Sequence, residues 1–426
     1  MAGMMRRPRL LFLCQTLPYP PDGGVWIRTY HVMRQLAETF EITALCFERA
    51  ATSGTTPGLK KGLAPLASVE VFPIPQRHSR LRFWCDHLRS AALRRVYTAY
   101  VYDSRAFQRR LAELLEIIPF DLIHVDSLDL ARYLPACREL PVVCVHHDIE
   151  SKLLQRRASV DRSAWRSAYF RYQSRRMEEV ERRWCPRIAL NVTCSEHDRE
   201  RVAELAPGAR IAVVPNGVDT GEFQPDSASG AGIAFVGGTN TFPNRDALEF
   251  FASGVLPHLG ASARHLPIRW IGRALPDQRR DYAARYGIDL TGYVEDVRPL
   301  LRQAACHIVP LRVGGGTRLK ILNSWAMGKP VVSTSIGCEG LAAADGDNIL
   351  IRDDPKDFAR AIAAVLDDGE LRRRLGERGR ATAERLYSWD AIGRAMRETY
   401  LTVASRGAGE PAWNSGTIGV EPRYSH

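Results

Sequence analysis

Apolar positions along this chain gather into short unbroken runs. Arg9 to Cys14 (RLLFLC), Glu41 to Phe47 (EITALCF), Val69 to Pro73, Phe120 to Val125 (FDLIHV), Pro141 to Val145 (PVVCV) and Ile188 to Cys194 are rich in β-branched and aromatic residues. Such runs predict strands buried on both faces. Helical stretches separate them, so the chain opens as a βαβ unit and keeps that alternation. After a polar stretch at 226–230 the pattern restarts with Gly232 to Val236, Ile268 to Ile271, Leu290 to Val294, His307 to Leu311 and Val331 to Ser335. Two successive arrays predict an α/β protein with two Rossmann-like, doubly wound parallel sheets facing one cleft. The expected domains are 1–195 and 196–388, followed by an amphipathic helix at 389–405 and a Gly-, Pro- and Ser-containing tail, 406–426, expected to be disordered.

The most informative stretch is HIVPLRVGGGTRLKILNSWAMGKPVVSTS, His307 to Ser335, which reads as strand, glycine loop, helix and strand. Thr317 is placed to cap the helix start, and Gly328 followed by Pro330 marks its stop. Leu319, Leu322 and Ala326 fall at i, i+3 and i+7 and are expected to face the sheet, while Lys320 and Asn323 share another face. Bare backbone at Gly314, Gly315 and Gly316 lets a phosphate approach amide donors, and the helix N-terminus adds partial positive charge. Arg312, Arg318 and Lys320 supply full charges. Basic residues in a first helical turn oppose the dipole, which favours an anion as their partner.

Other candidates also follow strand ends, where open α/β sheets bind ligands. They are the turn Asp22-Gly23-Gly24, the turn Gly237-Gly238-Thr239, and His146-His147-Asp148 directly after PVVCV. A histidine there can serve as a hydrogen-bond donor or as an acid or base near neutral pH, and His147 is taken as the candidate. No second histidine stands at the spacing of a zinc helix, so no metal is expected. Asp345 and Asp347 resemble a metal-binding pair but precede the apolar run NILI and read as a surface turn. No GxGxxG fingerprint with its acid and no GxxxxGK[ST] occurs, which removes support for hydride transfer and P-loop chemistry.

Composition adds a partner class. Hydrophobic content of 45% with 25% charged residues fits a globular protein, and nine scattered cysteines without a CxxC pair fit buried thiols in a reducing cytosol. No run is long enough to span a membrane and no signal peptide is read at the N-terminus. Net charge is +11, concentrated early: residues 1–200 carry 31 Lys+Arg against 22 Asp+Glu. Within them, 77–110 holds nine Arg against two Asp, and 152–187 holds eleven Lys+Arg against four acids. Arginines interleaved with Phe83, Trp84, Leu88 and tyrosines 97, 100 and 102 suit an anionic membrane surface, although aromatic stripes at helical spacing are more often core. No nucleic-acid reading motif is present, and no nucleic-acid partner is expected.

Taken together, Gly23-Gly24, His147-Asp148, VVPNGVD (213–219), FVGG (235–238), TGYV (291–294), GGTRLK (315–320) and GKPVV (328–332) make the chain resemble the GT-B glycosyltransferases of family 4, in particular the bacterial sugar transferases of exopolysaccharide clusters. The resemblance reaches to about residue 404. It implies a retaining, metal-independent transfer from a UDP- or GDP-linked sugar, which is a substrate and not a cofactor, to a saccharide or lipid-linked acceptor. It further implies that the first domain binds the acceptor, the second binds the donor, and the final helix crosses back onto the first.

By the same resemblance His147, Gly23 and Gly24 attend the transferred sugar. Gly237, Gly238, Gly315, Gly316, Thr317, Arg318, Lys320 and Asn323 attend the donor. A cytoplasmic location is expected, with a peripheral position on the inner face of the membrane suggested by the basic stretches. Two departures stand out: the family's Glu-x7-Glu acids fall on Gly315 and Asn323, and its basic pair after the Phe-Val-Gly strand falls on Gly238 and Asn244. Arg318 and Lys320 are expected to replace that charge. A nucleotide-sugar epimerase and a catalytically weak binding partner are the alternative readings.

Overall fold

The structure is a computed structural model that describes residues 6–21, 24–49, 56–161, 163–226, 230–260, 265–313 and 318–406. The apolar runs become parallel strands, because a strand covered by helices on both faces has no side left for polar residues. In the first sheet β1 (Arg9–Cys14), β2 (Glu41–Phe47), β3 (Ser68–Phe72), β4 (Leu122–Val125), β5 (Val142–Val145), β6 (Leu190–Thr193) and β7 (Ile211–Val213) lie in the order β3-β2-β1-β4-β5-β6-β7. Every neighbouring pair is parallel, with registers such as Leu13↔Leu45 and Leu13↔Val125. The second sheet holds β8 (Ile233–Val236), β9 (Ile268–Ile271), β10 (Ile288–Gly292), β11 (Cys306–Val309), β12 (Val331–Ser333) and β13 (Leu350–Ile351) in the order β10-β9-β8-β11-β12-β13, again all parallel. Each sheet reverses its winding at one point, between β1 and β4 and between β8 and β11. Crevices at the carboxyl ends of such switch points are where doubly wound sheets hold ligands.

The helices that position the sites are α1 (Gly24–Ala37), α2 (Arg80–Ala92), α3 (Ala164–Trp184), α4 (Phe242–Glu249), α5 (Leu319–Ala326) and α6 (Trp389–Arg406). The chain divides into two compact units: residues 1–215 with 393–426, and residues 216–392. The boundary therefore falls after Pro215 and not at 195. The reason is β7, which pairs with β6 through Asn191↔Ile211 and Thr193↔Val213 and so belongs to the first sheet.

Helix α6 starts in the second unit, where Trp389 fills the space that a side chain on Gly217 would need, its ring atoms 2.6 Å from such a Cβ. Its later turns belong to the first unit, where Arg397 pairs with Glu38 at 2.9 Å and Tyr400 is buried against His124. Each unit has its own apolar core, one around Leu11, Phe47, Phe107 and Ile123, the other around Phe235, Trp270, Ile308 and Trp325.

Candidate functional site

At the switch point of the second sheet, β8 delivers Gly237 and Gly238, and β11 leads through Arg312 to α5. A side chain on Gly237 would come within 2.7 Å of Asn244 Nδ2, and one on Gly238 within 2.5 Å of Asn240 Oδ1. Close approach thus favours glycine at both positions. Asn244, on α4, donates from Nδ2 to Gly238 O at 2.9 Å, which aims its carbonyl oxygen outward. That oxygen accepts from Lys320 Nζ at 3.1 Å, and the same ammonium sits 4.1 Å from the centroid of the Phe235 ring.

Lys320 pairs with no acid among the described residues. Burial, followed by the charge of Arg318, pushes its pKa down to about 7. Arg318 is buried and donates from Nε and Nη2 to Ile336 O at 3.3 and 3.1 Å. Behind them His307 contacts the Ser324 hydroxyl, and burial together with Lys320 pushes its pKa down to about 3, so it is neutral. A lysine that pairs with no acid among the described residues can receive an anion.

Three expectations change. Arg312 does not contribute free charge: its guanidinium bonds both oxygens of Asp246 at 2.6 and 3.0 Å and lies over the Phe250 ring. Leu319 is only partly buried, whereas Ile321, Leu322, Ser324, Trp325 and Ala326 are all buried. The helix is covered on its far side as well, with Trp325 Cδ1 2.5 Å from where a side chain on Gly379 would begin. Arg318 takes the position before the helix and makes no capping bond. Gly23, Gly315, Gly316 and Thr317 lie outside the described residues. Asn323 shares the Lys320 face and is partly exposed. Asp345 accepts from Ile351 N and pairs with Arg352, as a surface turn does.

The first unit carries a second cluster at its own switch point. Asp126, one residue past β4, is buried, and its amide donates to Leu13 O on β1 at 2.9 Å. The Thr29 hydroxyl of α1 donates to the carboxylate, lying 3.0 and 2.9 Å from its two oxygens. His147 Nε2 is 3.2 Å from Asp126 Oδ1, within ion-pair range but out of line for a hydrogen bond. His124 Nε2 is 3.6 Å from the same oxygen, and its Nδ1 is 2.9 Å from the Tyr400 hydroxyl of α6.

Burial alone would push Asp126 up, but the two imidazoles outweigh it and hold its pKa down to about 2. Burial lowers His124. His146 points the other way, its Nε2 3.0 Å from Asn191 Oδ1, and is structural. Gly24 opens α1, and a side chain there would meet nothing within 4 Å.

Sequence reasoning missed Asp126, Thr29 and the role of Asn244. Asp126 had a signal, an acid directly after a buried run. Thr29 and Asn244 had none, since their partners lie 97 and 76 positions away.

Residues 22–222 match the family described as "Glycosyltransferase Family 4", and residues 230–368 match "Glycosyl transferases group 1". The chain is 28% identical over 220 residues to a D-inositol 3-phosphate glycosyltransferase of Corynebacterium efficiens, covering 48% of this chain and 51% of that one. It is 23% identical over 415 residues to an MMP alpha-(1->4)-mannosyltransferase of Mycolicibacterium hassiacum, covering 90% and 96%. The chain spans about half the length, or less, of the first curated relatives it matches. Among solved structures, Anabaena Alr3699/HepE in complex with UDP and glucose shares the fold with a TM-score of 0.63 at 15% identity, covering 92% of this chain and 99% of that one.

Proposed function

The chain belongs to the family 4 glycosyltransferases of the GT-B fold, and from that premise we propose that it transfers a sugar from a nucleoside diphosphate sugar to a saccharide or lipid-linked acceptor. One observation carries the donor half: Lys320, without a counter-ion, is held by Asn244 and the Phe235 face beside buried Arg318 at the switch point of the second sheet. In this reading the pyrophosphate meets Lys320, Arg318 and the amides of Gly237, Gly238, Gly315, Gly316 and Thr317, while Asn323 faces the ribose. Fixed positive charge stabilises a departing diphosphate without needing a cation, so the transfer is read as metal-independent. UDP bound to the Anabaena structure favours a UDP-linked donor over a GDP-linked one.

The first unit is read as the acceptor side. There His147, oriented by Asp126, bonds the transferred sugar, and Gly24 at the start of α1 leaves room for it. Retention of configuration follows from the family resemblance. The enzyme is read as cytoplasmic, working against the inner face of a membrane. No observation favours the epimerase or the catalytically weak partner.

The test is a thermal-shift panel of UDP, GDP, ADP and their sugars. Stabilisation by one nucleotide over the others is expected, because a ligand that binds only the native state raises Tm. No shift with any of them would refute the donor site.

A further inference from the structure

Helix α2 has its amphipathicity inverted. Surface helices bury their apolar stripe, yet the residues α2 buries are Asp86 and Ser90. Asp86 accepts from Gln76 Nε2 at 2.7 Å and lies between Arg82 and Arg89. Ser90 donates to Arg95 O at 2.7 Å and accepts from Gln173 Nε2 at 2.9 Å. The apolar side faces outward instead: Leu81, Trp84 and Leu88, at i, i+3 and i+7, are 75%, 66% and 71% exposed, and Leu93 just beyond is 60% exposed.

The inner side of α2 meets α3. His87 stacks with Tyr169, and Ser90 meets Tyr172 and Gln173, so the contacts climb the two helices in parallel. Trp165, one turn before Tyr169 on α3, is 73% exposed. At the two ends of α2, Arg80, Arg94 and Arg95 are exposed and pair with no acid among the described residues, and the sole acid of α2 is the buried Asp86.

We propose that this outward face of α2 seats on an anionic lipid bilayer, with Leu81, Trp84 and Leu88 entering the boundary between headgroups and acyl chains and Arg80, Arg94 and Arg95 meeting lipid phosphates. A stripe of tryptophan and leucine flanked by unpaired guanidinium groups matches the layering of such a surface, apolar below and anionic above. The inference deepens the reading of a lipid-linked acceptor, on which it rests. No helix among the described residues is long and apolar enough to cross a membrane.

The full chain is sedimented with vesicles of phosphatidylcholine alone and of phosphatidylcholine and phosphatidylglycerol in equal parts. Binding is expected to the anionic vesicles only and to weaken with salt. The triple variant Leu81→Ser, Trp84→Ser, Leu88→Ser should lose at least about tenfold in vesicle affinity, and Arg94→Gln with Arg95→Gln should lose binding mainly at low salt. Because all these side chains are exposed, Tm and the nucleotide-induced shift should stay as in the wild type, which separates this test from that of the donor site. Wild-type protein that ignores anionic vesicles, a triple variant that binds like wild type, or a wild-type dimer that the triple variant abolishes would each overturn the proposal. The last outcome would assign the face to a second copy of the chain.

Discussion

Lys320 Nζ lies 3.1 Å from Asn244 Oδ1, across 76 residues of sequence. In the family this chain resembles, the position of Asn244 carries a basic residue. Here an amide stands at that position and receives the ammonium from α5. An ammonium from α5 thus stands within hydrogen-bond reach of the position where the resemblance puts a basic residue.

Lys320→Ala is expected to remove donor binding and turnover together. A charged hydrogen bond to a diphosphate contributes roughly 2–3 kcal/mol, or about a 30- to 150-fold loss in affinity. Calorimetric titration with the nucleotide chosen by the thermal-shift panel measures it. Near wild-type affinity would mean that the pyrophosphate sits elsewhere.

The same group sets a pH dependence. Burial disfavours the ammonium, so in the free protein it deprotonates at about 7 against an ordinary 10.5. The groups facing it are Arg318, always charged, and His307, neutral. A bound pyrophosphate favours the ammonium, so binding above pH 7 takes up a proton. Affinity for the intact donor should fall by up to about tenfold per pH unit above 7, and Lys320→Arg should flatten that profile. Without donor the sign is opposite. The unfolded chain holds this proton up to about 10.5, so the stability of the free protein rises with pH from about 7 to 10.5. Titration in two buffers of different ionisation enthalpy reads the proton uptake directly.

Asn323→Glu restores the carboxylate that relatives place on the ribose hydroxyls. Nucleotide affinity should rise by about 1–2 kcal/mol, or about 5- to 30-fold, for one charged hydrogen bond. Unchanged or weaker binding would show that Asn323 does not face the ribose, or that the new acid pairs with Lys320 three residues away.

Asp126→Asn separates the two sites. Turnover should drop because His147 loses its orienting charge, while nucleotide affinity, set in the other unit, should not move. The carboxyl also carries acid stability. Its folded pKa of about 2 lies below the ordinary 3.8, so its contribution is full above about pH 4 and is lost as pH falls toward 2. That contribution is on the order of 2 kcal/mol, and urea unfolding of wild type and variant between pH 6 and 2 would converge at the acid end. Parallel curves would place the charge outside the folding equilibrium.

The sheets were legible because parallel strands leave an unbroken apolar run: β1 and β2 were read to the residue. The strand β7 is not fixed to a unit by its sequence, since three residues before a Pro-Asn-Gly turn can open one sheet as well as close another. Only pairing with β6 decides. His147 was legible as a polar break after PVVCV, but its partner Asp126 and the hydroxyl of Thr29 are gathered by the sheet and not by spacing. In α2 the apolar period was plain, yet a period cannot say which side is inside. The buried Asp86, satisfied by Gln76 and two arginines, turned the helix over.

The path of α6 bears on how the molecule is made. Tyr400, on that last helix, completes the buried layer against His124 and Phe40, and every residue of the second unit precedes it in the chain. On the ribosome the first half cannot close its own interior until the other half has already been synthesised. Cutting the gene at 215 would therefore leave a hole where the tyrosine belongs, whereas moving codons 393–406 to follow 215 should yield a first half that folds alone.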